Sequence, residues 1–167
     1  MLAKLKKFQA QDMRYEDGKI LCSMCTAPHS IARTAHNWFL SANLGDAGLF
    51  HGSLKLEKEV IRRLAALLNG ENSVGFIVSG GTEANLLALL AARSIADTCN
   101  PEVVLPASAH FSFKKICRLL GLKPVYASLD GAYCVEPSSV EKCISRNTVA
   151  IVGTAGTTEL GAIDPID

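Results

Sequence analysis

A short segment between an apolar run and a helical pattern has the composition of an anion-binding turn. Ser79–Asn85 has the sequence Ser-Gly-Gly-Thr-Glu-Ala-Asn, in which Gly80 and Gly81 permit a tight turn and a close approach of a ligand to the backbone. The first N–H groups of the following helix and the Thr82 hydroxyl are donors that a phosphate accepts. The segment therefore predicts a phosphate cradle, with an ordinary glycine-containing turn between strand and helix as the alternative.

Further polar segments follow two other predicted strands. Ser108–Ser112 follows the second strand, and Thr154–Thr158 follows the fourth. Ligands of parallel α/β sheets bind beyond the carboxyl ends of the strands, so we expect these segments to share one edge with the cradle. Neither a Walker phosphate loop nor a dinucleotide fingerprint occurs in the sequence.

Alternating patterns predict the elements that position these segments. Apolar stripes at helical spacing predict helices over 1–16, 54–69, 83–97, 111–120 and 137–145, and short apolar runs predict strands over 74–78, 102–105, 124–127 and 148–153. Residues 19–52 are predicted to be irregular. Near-continuous Val, Ile and Leu strands separated by helices are typical of an α/β fold, with a mostly parallel sheet covered on both faces.

Capping residues refine the predicted helix boundaries. Ser53 is a candidate N-cap and Gly70 a C-terminal stop for the helix at 54–69. Gly121 is expected to end the helix at 111–120. Pro137 and the capping-box pattern Ser138-x-x-Glu141 are expected to open the helix at 137–145.

Composition excludes several classes of protein. The 167 residues suit about one domain, and 49% hydrophobic and 20% charged residues with a mean hydropathy of +0.21 exclude a disordered chain. A net charge of +1 predicts no nucleic-acid partner. No apolar run has membrane-spanning length and the first residues lack a secretion signal, so we expect a cytoplasmic enzyme without a membrane partner.

The cysteines are interpreted as reduced thiols in the core. Cys22 and Cys25 have the spacing of half a zinc site, with His29 four residues further along. No second Cys-x-x-Cys pair follows, and the other histidines lack ligand spacing, so we predict no metal.

Several motifs, in order along the chain, resemble those of the group II pyridoxal-phosphate-dependent amino-acid decarboxylases, and most of all their archaeal tyrosine/aspartate branch. The resemblance spans the chain from about residue 14 onward. The segments that carry it are Ile20–His29, Asn43–Phe50, Ser79–Asn85, Ser108–Ser112, Gly153–Thr158 and Gly161–Ile166.

This resemblance implies an incomplete aminotransferase-like (fold type I) large domain, a three-layer α/β/α structure. Residues 1–52 would form an N-terminal helix and a substrate-side segment, and residues 53–167 the first part of the domain that binds pyridoxal 5'-phosphate. The implied cofactor contacts are Gly81 and Thr82 with the phosphate, His110 stacked on the ring and Thr154 against the ring; the implied substrate contacts are Asn43, Asp46 and, more weakly, His29. Considered alone, His110 would be an ordinary loop histidine and Asn43 or Asp46 turn formers.

Two positions depart from the family pattern. Ser30 and His51 stand where proline usually follows His29 and Phe50, which affects the expected loop shape and substrate choice.

The family also requires a Schiff-base lysine and an aspartate paired with the ring nitrogen, and we find neither. The last lysine is Lys142, and Lys114 and Lys115 belong to a helix where the family's lysine has another role. We therefore interpret the chain as the N-terminal part of a decarboxylase, inactive alone.

The implied activity is decarboxylation of L-tyrosine, L-aspartate or L-glutamate by a homodimer. A different fold type I lyase, or a non-catalytic remnant, is the alternative. The strand at 74–78 would pair with a strand beyond residue 167, so we expect the chain alone to be marginally stable or prone to association.

Overall fold

The computed structural model describes residues 1–21, 23, 25–70 and 72–166, which form two compact units. Unit 1 is Met1–Phe76 and unit 2 is Ile77–Asp167.

Unit 1 is helical. Its α-helices are α1 (Leu2–Gln9), α2 (Ser30–Trp38) and α3 (His51–Leu67), with 3-10 turns at Tyr15–Asp17 and Leu44–Asp46. The helix predicted over 1–16 is shorter, and α2 was missed within the stretch predicted to be irregular. Ala65 is the one buried residue among the described residues of this unit.

The ends of α3 differ from the prediction. Phe50 is the N-cap, so Ser53 lies inside the helix and the predicted cap is wrong. At the other end, Asn69 takes the left-handed conformation with φ 56°. The N–H groups of Gly70 and Asn69 donate to the carbonyls of Ala65 (2.8 Å) and Ala66 (3.4 Å), which is the Schellman pattern. Asn69, rather than the predicted Gly70, therefore supplies the left-handed residue.

The run at 74–78 does not form a strand in the described structure, contrary to prediction. Val74, Phe76 and Ile77 are exposed. Their composition suits a strand, but a strand also needs a hydrogen-bonded neighbour.

Unit 2 contains a parallel sheet. Its elements in chain order are α4 (Gly81–Ser94), β1 (Glu102–Pro106), α5 (Ser112–Leu120), β2 (Lys123–Ala127), α6 (Pro137–Cys143) and β3 (Thr148–Ile151). The sheet order is β2-β1-β3 and both pairs are parallel, with Val104 opposite Val125 and Ile151. The predicted parallel α/β sheet is confirmed.

Helices cover both faces of β1. Val103 and Leu105 pack with Leu89 of α4 and Ile116 of α5 on one face, whereas Val104 packs with Ala127, Val135 and Val140 of α6 on the other. Alternate residues of a strand point to opposite faces, so a strand covered by both layers is apolar throughout. This arrangement confirms the three-layer α/β/α architecture.

The predicted caps of unit 2 are partly confirmed. Gly121 ends α5 in the left-handed conformation, with φ 64°. Pro137 is the first residue of α6, but Ser138 and Glu141 do not form the capping box. Glu136 is the N-cap, and the Ser138 hydroxyl instead donates to its Oε1 at 2.8 Å.

Glu102 links the amino-terminal ends of the strands. Its carboxylate accepts hydrogen bonds from Lys123 Nζ at 2.7 Å and Ser145 Oγ at 2.6 Å. Both hydrogen bonds lower the pKa of Glu102, and the bond from Lys123 has the larger effect. The carboxylate therefore remains charged in this position.

Only one described cysteine lies in the core. Cys117 is buried, and burial raises the pKa of its thiol, whereas Cys25 and Cys99 are exposed, contrary to prediction. The predicted thiol at Cys22 lies outside the described residues, as do Met24, Glu71 and Asp167. Among the helices described, none is both long and apolar enough to cross a membrane.

Candidate cofactor site

The predicted phosphate cradle lies at the start of α4. Gly80 is the N-cap, and the first helical bond runs from the Ala84 N–H to the Gly80 carbonyl at 3.1 Å. The N–H groups of Gly81, Thr82 and Glu83 precede this bond, and no side chain of the described residues caps the helix. These groups are therefore suitable donors for an anion.

The folded backbone does not itself demand glycine in this turn. Gly80 has φ 168° and ψ 176°, an extended conformation that any residue adopts. A Cβ atom added to Gly80 or Gly81 would meet nothing within 4 Å among the described residues. Space for a ligand above the turn is consequently open at both glycines.

Glu83 secures the turn. Its Oε2 accepts hydrogen bonds from the Ser79 hydroxyl at 2.6 Å and the Ser79 N–H at 2.8 Å. Both bonds lower the pKa of Glu83, and the bond from the Ser79 hydroxyl has the larger effect. Since Ser79 is thereby engaged, the donors left for an anion are the first N–H groups of α4 and the Thr82 hydroxyl.

His110 lies in the turn after β1. Its Nδ1 lies 2.9 Å from the Ser112 hydroxyl oxygen and accepts the Ser112 N–H at 3.2 Å. Its ring centroid is 4.1 Å from that of Phe111, with the planes inclined by 38°. The hydrogen bonds from Ser112 therefore hold the imidazole through Nδ1 alone among the contacts described.

A hydrogen bond connects His110 with the helix that begins at the cradle. Asn85 Nδ2 of α4 donates to the Ser112 hydroxyl oxygen at 3.4 Å. Asn85 follows Thr82 by three residues, so the two lie on neighbouring positions of one helix face. The structure thus connects α4 with His110 through Asn85 and Ser112. Asn85 and Ser112 were not among the predicted site residues, although both fall in the motifs Ser79–Asn85 and Ser108–Ser112.

Ser108 supplies an unused hydroxyl near this edge. It lies between the end of β1 and His110, and its Oγ is buried without a hydrogen-bond partner among the described residues. Buried polar atoms are nearly always bonded, so an orphaned hydroxyl at a strand end favours a ligand contact.

Thr154 follows β3 and is anchored by Asp164. The Thr154 N–H donates to Asp164 Oδ2 at 2.8 Å, and the Asp164 N–H donates to the Thr154 carbonyl at 2.9 Å. Asp164 Oδ1 accepts the Val135 N–H at 2.7 Å, and the residue is only 2% exposed. Asp164 therefore ties together three segments around the end of β3, a function that the sequence did not reveal.

The three substrate-side residues belong to unit 1, where each caps or closes a local turn. His29 Nδ1 accepts the Ile31 N–H at 3.3 Å, and Asn43 Oδ1 accepts the Gly45 N–H at 2.9 Å. Asp46 Oδ1 accepts the N–H groups of Gly48 and Leu49 at 3.1 and 3.2 Å. All three side chains are exposed. Their substrate contacts stay predictions.

Unit 2 also contains a cavity. Its volume is about 350 Å³, and it is lined mainly by apolar residues of α6, β3 and the last described segment, among them Val140, Ile151 and Ile166. None of the predicted site residues lines it.

Comparison with known proteins identifies the family. Residues 50–165 match the model of the DegT/DnrJ/EryC1/StrS aminotransferase family. The chain is 49% identical to a probable L-aspartate decarboxylase of Pyrococcus furiosus over 99% of its own length and 45% of the relative's. It is 53% identical to a probable L-tyrosine/L-aspartate decarboxylase of Methanothermobacter thermautotrophicus over 93% of its own length and 43% of the relative's. The chain thus spans less than half the length of these relatives.

Solved structures agree on the fold. A glutamate decarboxylase of Lactobacillus brevis superposes with a TM-score of 0.81 at 21% identity, covering 98% of this chain and 40% of that protein. A sphingosine-1-phosphate lyase of Burkholderia pseudomallei superposes with a TM-score of 0.82 at 28% identity, covering 99% of this chain and 42% of that protein. The resemblance to group II decarboxylases is confirmed. The chain belongs to the DegT/DnrJ/EryC1/StrS aminotransferase family, with the fold type I architecture, and is a homologue of the archaeal L-aspartate/L-tyrosine decarboxylases.

Proposed function

We propose that this chain is the cofactor-binding N-terminal part of a pyridoxal-phosphate-dependent decarboxylase of an L-amino acid. The names of its relatives favour L-aspartate, L-tyrosine or L-glutamate as the substrate. Identity of about half supports decarboxylation more strongly than the other reactions of the fold.

One observation carries the proposal: Asn85 and Ser112 connect the start of α4 with His110. A pyridine that bears a phosphate needs donors for the phosphate and a flat partner for its ring. The first turn of α4 supplies N–H groups and a hydroxyl. The imidazole of His110 is linked to the same helix by two hydrogen bonds, one between Asn85 and Ser112 and one between Ser112 and His110.

The residues present fit part of pyridoxal 5'-phosphate. Gly81 and Thr82 would hold the phosphate, His110 would lie against the ring, and Thr154 would contact the ring from the end of β3. The cofactor, when bound, supplies an electron sink for the pair of electrons released with CO2. The chain has no lysine after Lys142, and Lys114 and Lys115 are exposed on α5, so none of these is proposed to attach the cofactor.

The substrate side of the proposal rests on unit 1. Asn43, Asp46 and, more weakly, His29 would contact the substrate, and residues 1–52 would form the substrate-side segment. Each of these side chains already accepts backbone N–H groups, which fixes the shape of its turn. A contact with the substrate would use the remaining lone pairs of the Asn43 and Asp46 side-chain oxygens, or the Nε2–H of His29.

The test uses a ligand without the reactive aldehyde. 4'-Deoxypyridoxine 5'-phosphate retains the ring and the phosphate but cannot react with surface lysines. We expect it to bind this chain, and Thr82→Ala to weaken binding about tenfold through loss of a charge-assisted hydrogen bond. Isothermal titration calorimetry measures the affinity.

The matched control is Thr26→Ala, which removes a hydroxyl from an exposed threonine outside the site. Its affinity should equal that of the parent chain. Equal affinities of the Thr82→Ala and Thr26→Ala variants would remove the phosphate assignment. Failure of the parent chain to bind the ligand would remove the cofactor-binding proposal itself.

The structure of the sphingosine-1-phosphate lyase favours a second candidate, a lyase that acts on another substrate. Both candidates use the same cradle and His110, so the binding experiment does not separate them. Release of CO2 with the corresponding amine from L-aspartate, L-tyrosine or L-glutamate by the full-length protein would support the decarboxylase, and cleavage without CO2 would support the alternative.

A further inference from the structure

The hydrogen bonds around His110 determine which of its nitrogens carries the proton. The Ser112 backbone N–H donates to Nδ1 at 3.2 Å. A nitrogen that accepts this bond has a free lone pair and no proton. A neutral imidazole with an unprotonated Nδ1 has its proton on Nε2.

The Ser112 hydroxyl adds a second donor to the same nitrogen. Asn85 Nδ2 donates to the hydroxyl oxygen at 3.4 Å, which occupies one of its lone pairs. The hydroxyl proton is then directed toward His110 Nδ1, 2.9 Å away. Ser112 is only 1% exposed, so water does not compete for this hydroxyl.

The two hydrogen bonds from Ser112 also constrain the plane of the His110 ring. Two donors from one residue meet Nδ1 from different directions, because one belongs to the backbone and the other to the side chain of Ser112. Phe111 lies beside the ring at 4.1 Å between centroids. Rotation of the imidazole would break both hydrogen bonds.

We propose that Ser112 and Asn85 are positioning residues for His110, which hold its imidazole as the Nε2–H tautomer and fix its plane relative to the start of α4. The purpose of this arrangement rests on the proposed function, in which the ring lies against the cofactor. A fixed ring needs no reordering when the cofactor binds, and its Nε2–H remains available as a donor.

Nitrogen NMR of the isotopically labelled chain tests the tautomer directly, without any cofactor. At about pH 8, where an ordinary histidine is neutral, the shifts of the two ring nitrogens distinguish a protonated from an unprotonated atom. The chain has four histidines, and the His110→Gln variant identifies which NMR signals belong to His110. We expect Nε2 of His110 to be protonated and Nδ1 unprotonated.

Ser112→Ala and Asn85→Leu should raise the Nδ1-protonated fraction, by about fivefold for the loss of one hydrogen bond of ordinary strength. Ser112→Thr retains the hydroxyl and should restore the parental ratio. Ser138→Ala is the matched control, because Ser138 also lies in the first turn of a helix but bonds to Glu136. An unchanged ratio in both Ser112→Ala and Asn85→Leu, with parental amide spectra, would overturn the inference.

Titration with 4'-deoxypyridoxine 5'-phosphate separates this inference from the proposed function. Weaker binding by Ser112→Ala, restored in Ser112→Thr, would support the positioning role. Parental binding by a variant whose tautomer ratio has changed would contradict it. Absence of binding by the parent chain, with the expected tautomer, would instead contradict the proposed function and leave the tautomer assignment in place.

Discussion

Two apolar runs of similar composition, Val74–Val78 and Glu102–Pro106, differ completely in burial. Val103 is 0% exposed and lies in β1, between two parallel partners. Val74 is 94% exposed and belongs to no strand of the described structure. Apolar composition makes a segment suitable for a strand, but neighbouring strands and covering helices decide whether it becomes one.

The same contrast separates the two units. In unit 2, hydrogen bonds and apolar contacts join residues that are distant in the sequence, as in the Asp164 and Glu102 networks. In the described part of unit 1, the side-chain hydrogen bonds mostly join residues within four positions of each other. Substitutions in unit 2 should therefore cost more stability than chemically equal substitutions in unit 1.

The largest difference is expected between two aspartates that each accept two backbone N–H groups. Asp164→Ala leaves the buried N–H of Val135 and the partly buried N–H of Thr154 without acceptors, and should destabilise unit 2 by about 3 kcal/mol. Asp46→Ala leaves the N–H groups of Gly48 and Leu49 to bond with water, and should lower stability by less than about 1 kcal/mol. Hydrogen exchange followed by mass spectrometry measures the local stability of each unit. Equal losses of stability in the two variants would show that the hydrogen bonds of Asp164 to distant segments stabilise the protein no more than the local turn at Asp46 does.

A smaller difference is expected between two valines of the apolar runs. Val103→Ala removes methyl groups from the core on the face of β1 that packs against α4 and α5, and should destabilise unit 2 by about 2 kcal/mol. Val74→Ala should change stability by less than about 0.5 kcal/mol, as is usual for an exposed side chain. Denaturant unfolding of both variants gives the comparison. A large cost for Val74→Ala would show that this run is buried in solution.

The smallest effect concerns the two positions that depart from the proline pattern. Ser30 and His51 are the first residues of α2 and α3, a position that proline favours. His29 has φ −58° and ψ 150°, which suits a following proline, so Ser30→Pro should stabilise unit 1 by about 0.5 kcal/mol.

His51→Pro is the matched control for that substitution. Phe50 has ψ 53°, outside the range that a residue before proline prefers, so no stabilisation is expected. Thermal unfolding followed by circular dichroism compares the two variants. A stabilising His51→Pro together with a destabilising Ser30→Pro would contradict the backbone conformations described above.

Much of the fold could be predicted from the sequence because its signals are local. The apolar runs at 102–105 and 124–127 and the stop at Gly121 agree with β1, β2 and the end of α5 to within about a residue. Motif order also identified the family. The caps at Ser53 and Ser138 failed because the two helices begin earlier, at His51 and Pro137, where the backbone path rather than a capping side chain sets the boundary.

The sequence by itself determined which segments are apolar, that a helix follows the glycine turn at Gly80 and Gly81, and which residues could bind a phosphate or lie against a ring. Only the tertiary structure decided that Val74–Val78 is not a strand, that Asp164 anchors Thr154, and that Asn85 reaches Ser112 beside His110. The physical reason is that each of these outcomes depends on partners supplied by distant parts of the chain. Hydrogen bonds and burial between such segments leave no periodic pattern in the sequence.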